Sequence, residues 1–194
     1  MQTVATQLIL ISHALTQWNL EGRIQGHTDV PLNHWGIKMA GCLSKWLGME
    51  TIHAVYTSDL KRAYQTAWPT AEQKFLKIIQ DIRLREGRSV KQERSLLYPT
   101  LPFSKEVETK TDLCSRMETV LSEIALSHND QTVLVVSHGG SLDLFITRLL
   151  EKSNNDQLKY KGVRMALNRI FYDSGQWHCT SLNQFIWDWK GEKK

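Results

Sequence analysis

Two short apolar runs mark the chain, Leu8-Ile9-Leu10-Ile11 and Val133-Leu134-Val135-Val136. Neither alternates with polar residues, so each predicts a strand buried on both faces, as in a parallel sheet covered by helices. The first strand, Gln7 to Ser12, ends in Ser12-His13; the second, Thr132 to Val136, runs into Ser137-His138-Gly139-Gly140. Weaker strands are predicted at Ala54 to Thr57 and Phe75 to Ile79. Elsewhere the apolar period lengthens to that of a helix. After Asn33, Ile37, Ala40, Leu43 and Leu47 share one face, with Gly48 as the stop. Leu60, Ala63 and Ala67 form another face, capped by Ser58 or Asp59 and ended by Pro69. Thr109 and Asp112 make a capping pair that opens a helix bearing Leu113, Met117, Val120, Leu121 and Ile124, stopped at Asn129-Asp130. Leu142, Phe145, Ile146 and Leu149 mark a fourth helix.

Near the C-terminus, Met165 to Tyr172 and Trp177 to Leu182 predict a hairpin around Asp173-Ser174-Gly175. The stretch from Gly87 to Glu108 has no period and contains Pro99 and Pro102, so it predicts an irregular surface excursion. Strands alternating with helices imply an α/β protein: a three-layer α/β/α arrangement around a mainly parallel central sheet. The 194 residues suit one domain, 1–194.

Composition narrows the function classes. An apolar share of 41% and a charged share of 23% are those of a globular chain, and no apolar run approaches a membrane span. The net charge of +4 owes part of its excess to Lys190, Lys193 and Lys194. No basic run is interleaved with aromatics, so nucleic acid is not expected as a partner. Cys42, Cys114 and Cys179 lie far apart, an odd number with no metal-ligand spacing. Reduced thiols, no leader-like N-terminus and no membrane segment predict a cytoplasmic protein.

In a sheet of this kind, ligands bind outside the carboxyl ends of the strands. Polar clusters fall there: Ser12-His13, Ser58 to Arg62, and Ser137-His138-Gly139, with Leu84-Arg85-Glu86 after the Phe75 strand. Two histidines, an arginine and a carboxylate can thus converge on one crevice, a set suited to phosphoryl transfer. A neutral imidazole can attack phosphorus in line and form a phosphohistidine. Charge on the equatorial oxygens calls for fixed donors, for which Arg62 offers a planar fork and His138 a ring N–H. Gly139 lets backbone come close, and Glu86 can protonate the leaving oxygen and later take a proton from water.

These residues also resemble a known family. Ser12-His13-Ala14-Leu15-Thr16-Gln17-Trp18-Asn19, then Gly22-Arg23-Ile24-Gln25-Gly26 and Pro31-Leu32, are similar to the opening of the histidine phosphatase superfamily, the phosphoglycerate-mutase-like proteins. Ser58-Asp59-Leu60-Lys61-Arg62-Ala63-Tyr64-Gln65-Thr66-Ala67 resembles its second motif, Leu84-Arg85-Glu86 its acid motif, and Ser137-His138-Gly139-Gly140 its last. The resemblance implies a phosphoglycerate mutase-like fold and His13 as the phosphorylated nucleophile. It implies Arg62 and His138 on the phosphoryl group, and Glu86 as proton donor. Ser12, Thr16, Asn19, Arg23, Gln25, Gly26 and Gly139 would line the substrate site. It implies small phosphorylated substrates and a chemistry that needs no metal or other cofactor, and leaves the oligomeric state open.

The family pattern breaks at Ser12, where relatives carry arginine. Loss of that guanidinium removes a contact worth about 1.5–3 kcal/mol, and on the order of 10²–10³ in rate if the contact tightens in the transition state. Ala14 stands for glycine, and Gly87-Arg88-Ser89-Val90-Lys91-Gln92-Glu93-Arg94 departs from the usual acid run, leaving Glu93 as a second acid. Arg85, Arg88, Lys91 and Arg94 are the cations near enough in sequence to replace the missing charge. Three functions follow: a phosphomonoesterase, slow because of Ser12; a degenerate relative that binds phosphorylated ligands or a protein partner; and, with least support, a mutase. Glu108 is expected to complement a helix dipole, and His27, His34, His53, His128 and His178 to be surface or structural residues.

Overall fold

The computed structural model describes residues 5–87, 108–152 and 160–185. The Gly87–Glu108 excursion falls almost wholly outside these residues, as do Arg88, Lys91, Glu93 and Arg94, Trp187 and Trp189.

Six strands form one sheet: β1 (Thr6–Ser12), β2 (Ala54–Thr57), β3 (Ile78–Gln80), β4 (Thr132–Ser137), β5 (Leu167–Asp173) and β6 (Gln176–Gln184). Their order is β3-β2-β4-β1-β5-β6. The first four are mutually parallel, while β5 runs antiparallel to β1 and pairs with β6 as a hairpin. The hairpin turns at Ser174 and Gly175, both at positive φ, the geometry that suits a two-residue connection.

Period-two alternation divides the apolar strands between two cores. Leu8, Leu10, Val133 and Val135 face one side, with Met117, Leu121, Phe145 and Leu149. These come from α4 (Lys110–Leu126) and α5 (Gly139–Lys152). Ile9, Ile11, Leu134 and Val136 face the other, with Ala40, Leu43, Ala63 and Ala67. Those belong to α2 (His34–Trp46) and α3 (Lys61–Gln73). The three-layer α/β/α fold is as expected. No helix among the described residues is long and apolar enough to cross a membrane.

Several predicted boundaries move, each for a physical reason. A four-residue helix, α1 (Gln17–Leu20), occupies what reads as loop; it is too short to carry an apolar period, and the Thr16–Asn19 capping box holds it. The stop of α2 is Leu47, with Gly48 inside a following 3-10 turn. α3 is capped by Leu60 without a side-chain bond, because Ser58 and Asp59 are engaged elsewhere. It also passes through Pro69 to Gln73, where buried Thr70 and Ala71 favour continuing the helix. Its Pro69 carbonyl accepts the Ser44 hydroxyl at 2.9 Å. β3 starts at Ile78 rather than Phe75, which is almost fully exposed in a left-handed turn. The Thr109–Asp112 capping box forms as expected. Glu108, just before that cap, is also paired with Arg116: Nε and Nη2 reach its two oxygens at 2.6 and 2.7 Å.

Candidate active site

Register brings the first histidines together. Ser12 and Ser137 are paired residues at the ends of β1 and β4, and the His13 amide donates to the Ser137 carbonyl at 2.9 Å. His13 and His138, one residue further on, therefore have ring centroids 5.3 Å apart with planes inclined by 58°.

The His13 ring is buried. Its Nδ1 lies 2.7 Å from the carbonyl oxygen of Ala14, its own neighbour in sequence. A carbonyl only accepts, so Nδ1 carries the proton and Nε2 keeps its lone pair. Burial, helped by the charges of Arg62 and Arg164, drives the His13 pKa down to about 3. The imidazole is thus neutral near pH 7, with the lone pair on Nε2.

His138 is fully buried behind it, and its pKa is pushed well below the ordinary value, mainly by burial and then by the positive charges around it. Its Nε2 is 2.7 Å from the Ser58 hydroxyl, and its Nδ1 has no partner among the described residues. Arg62, projecting from the first turn of α3, is 1% exposed. Its Nη1 donates to the Thr28 carbonyl at 2.8 Å and its Nη2 to that of Gly26 at 2.6 Å, leaving buried Nε without a partner among the described residues. Burial lowers its pKa to about 10, so it stays cationic. A buried N–H donor without an acceptor, as at Arg62 Nε, is unusual in native proteins and suits an anionic ligand.

Glu86 is placed by a loop fastened at several points. The Ser137 hydroxyl donates to the Leu84 carbonyl at 2.7 Å and the Ser141 hydroxyl to that of Arg85 at 3.0 Å. Arg116 Nη1 donates to the carbonyls of Arg83 and Arg85. His27 Nε2 reaches the Glu86 carbonyl at 2.7 Å. The carboxylate itself accepts from the Ser141 hydroxyl at 3.1 Å and the Gly140 amide at 3.3 Å. A Cβ at Gly140 would stand 2.7 Å from Glu86 Oε1, whereas one at Gly139 would meet nothing. Gly140 thus lets its backbone come close to the Glu86 carboxylate, and the absence of a side chain at Gly139 leaves that part of the cavity wall open.

Ser12, His13, Asn19, Arg23, Gln25, Gly26, Arg62, Glu86 and Gly139 all line a cavity of about 370 Å³. Thr16 and His138 do not. Thr16 is buried, with its hydroxyl 3.1 Å from Asn19 Oδ1 and 3.0 Å from Gln25 Oε1, so it braces two residues that do line the wall. Asn19 Oδ1 also accepts the Thr16 amide, which leaves the Asn19 NH2 group as its donor. Arg23 stacks on Trp18, 3.7 Å from the ring centre, and pairs with Glu21. Of the cations put forward to replace the arginine missing at Ser12, Arg85 is held by Asp59, with Nε 2.6 Å from Oδ1.

Sequence reasoning missed part of the wall. Arg164, Asp143, Tyr160 and Asn168 also face the cavity. Arg164 precedes β5, and no motif marks it; only the antiparallel packing of β5 on β1 brings it to the site. Its side chain is accessible from the cavity, yet the surrounding protein lowers its pKa while the Glu86 carboxylate opposes that shift. Burial raises the pKa of Asp143. Among the described residues no three His, Cys, Asp or Glu side chains are grouped to hold a metal ion.

A neutral imidazole, a buried guanidinium and a fastened carboxylate around one polar cavity define a site able to act on a phosphoryl group. The sequence profile of the histidine phosphatase superfamily (branch 1) matches residues 8–184. The chain belongs to that superfamily. It is 30% identical over 184 residues to the metal-independent phosphoserine phosphatase of Arabidopsis thaliana, covering 85% of this chain and 77% of the relative. It is 31% identical over 193 residues to phosphoglycerate mutase-like protein 4 of the same plant, covering 88% and 82%. Among solved structures, YhfR of Bacillus stearothermophilus superposes with a TM-score of 0.78 at 27% identity, covering 93% of this chain and 98% of that one.

Proposed function

We propose that the chain is a cytoplasmic, metal-independent phosphomonoester hydrolase acting through a phosphohistidine at His13. One observation carries this reading: the Nδ1 proton of His13 is committed to the Ala14 carbonyl, so the Nε2 lone pair is the ring's free valence at a cavity also lined by Arg62 and Glu86. Nε2 attacks phosphorus, and the phosphorus–oxygen bond to the alcohol breaks. Glu86, in its acid form, gives a proton to the leaving oxygen, then takes one from the water that attacks the phosphohistidine. Arg62 Nε donates to the phosphoryl oxygens, and so does His138 Nδ1–H, the tautomer selected when Ser58 donates to Nε2. Asn19, Arg23, Gln25, Gly26 and Gly139 contact substrate, with Thr16 bracing them. The cytoplasmic placement draws support from the free thiols of Cys42, Cys114 and Cys179.

Ser12 favours a second reading, a degenerate relative that binds phosphorylated ligands or a protein partner without useful turnover. A mutase has less support, since it must keep its phosphohistidine from water. The test is phosphate release from an aryl phosphate with chelator present and no bisphosphorylated primer. The hydrolase reading expects steady release, lost in His13→Ala, and an acid-labile phosphorylated protein after rapid quench. No release from the intact protein, with release gained in Ser12→Arg, would establish the degenerate reading instead.

A further inference from the structure

The superfamily arginine is missing at position 12, yet the cavity holds two guanidinium groups whose charge is felt at His13: Arg62 and Arg164. We propose that Arg164 is the second phosphate-binding cation of this site, taking over from the loop before β5 the task that Ser12 does not perform. This rests on the phosphoryl-transfer reading above.

Four observations converge on Arg164. It lines the same cavity as His13, Arg62 and Glu86. It has no hydrogen bond or ion pair to another described residue, whereas Arg85 is engaged by Asp59, Arg23 by Glu21 and Trp18, and Arg116 by Glu108. The Glu86 carboxylate, on the wall of the same cavity, is close enough for its charge to act on the guanidinium. Finally, Ser12 itself fixes the peptide that carries it: the buried amide of Met165 donates to Ser12 Oγ at 3.3 Å. Met165 is fully buried at φ 59°, a left-handed backbone that a branchless chain rarely adopts without such support.

The last contact ties the two changes together. An arginine side chain has donors only and could not accept the Met165 amide. A serine hydroxyl can, so the residue that removes one guanidinium also anchors the loop that presents another. Ser12 is then a positioning residue and Arg164 a substrate-binding one. A forked, charge-assisted contact of this kind is worth about 1.5–3 kcal/mol, or roughly 10- to 150-fold in affinity.

The experiment titrates the full chain with orthovanadate, a phosphate mimic, by calorimetry, and measures kcat/KM on an aryl phosphate in parallel. Arg164→Ala is expected to weaken vanadate binding at least tenfold and to lower kcat/KM by as much or more. Arg164→Lys is expected to lie between, because it keeps the charge and loses the fork. Adding Ser12→Arg to Arg164→Ala is expected to recover most of the lost affinity. Vanadate binding within twofold of the parent in Arg164→Ala overturns the proposal; Arg164→Gln serves the same purpose should the alanine variant fold poorly. An intact protein that binds vanadate through Arg164 yet releases no phosphate would end the hydrolase reading and leave this one standing. Normal turnover with an Arg164-independent affinity would do the reverse.

Discussion

Ser12 and Ser137 face each other as register partners on adjacent parallel strands, and this pairing sets the spacing of the two histidines that follow them. A slip of one residue would turn every side chain of β1 to the opposite face, exchanging Leu8 and Leu10 with Ile9 and Ile11 between the two cores. The hydrophobic pattern that makes such a slip costly therefore also aims His13.

Gly140→Ala should injure catalysis more than folding. Its methyl group would meet Glu86 Oε1 at 2.7 Å, at the end of a side chain that can swing away. The amide and Ser141 contacts that place the carboxylate would then be lost. We expect a fall in kcat/KM of about 100-fold, the lower end of the usual range for a general acid. The loss should be smaller for nitrophenyl phosphate, whose leaving group needs little protonation, than for an alkyl phosphate. Equal losses on the two substrates would rule out Glu86 as the acid.

Gly36→Ala should lower stability. A Cβ there would be placed 2.0 Å from the Leu15 carbonyl oxygen, and backbone must move to admit it. Overpacking of this kind costs about 1–3 kcal/mol. Chemical denaturation should show that loss, and a midpoint equal to the parent's would mean that the backbone at Leu15 yields without cost.

Acid should unfold the protein through its two buried rings. The His13 pKa is depressed from 6.5 to about 3, and that of His138 is also well below the ordinary value. In the native state these rings refuse a proton that the unfolded chain accepts below about pH 6.5. Stability is thus fully present above that pH and falls as pH drops toward 3, by up to about 1.4 kcal/mol per pH unit for each ring. Urea midpoints measured from pH 7 to pH 4 should show the decline, and His13→Gln should flatten it. A midpoint independent of pH in the parent would contradict the burial of these rings.

Arg116→Ala should loosen the loop that carries Glu86. The side chain joins the Glu108 carboxylate to the carbonyls of Arg83 and Arg85. Its removal leaves those acceptors half-buried and unmatched, at about 1–3 kcal/mol. Activity should fall with stability, and Arg116→Lys, which lacks the fork, should rescue little of either.

The layers of the fold could be read from the chain because β1 and β4 are covered on both sides, which makes them continuous apolar runs. Phe75 misled for the same reason: a large apolar residue reads as strand, and only the tertiary fold shows it exposed at a turn. Asp59 looked like a helix cap, but a guanidinium 26 positions away competes for the same carboxylate and wins. The site residues at strand ends carried motifs and were visible. Arg164 carried none; its role depends on an antiparallel strand packing beside β1, which no local pattern encodes.

Arg62 holds up the bend at Gly26 and Thr28 through both of its terminal nitrogens, in addition to facing the cavity. A descendant that had given up turnover would still require it as masonry, so its survival testifies mainly to architecture. Among the described residues the imidazole of His13 hydrogen-bonds only to the carbonyl next door, and burying it weakens the fold in acid. Of the two, the histidine is the residue a lapsed enzyme would be free to discard, and this chain has kept it.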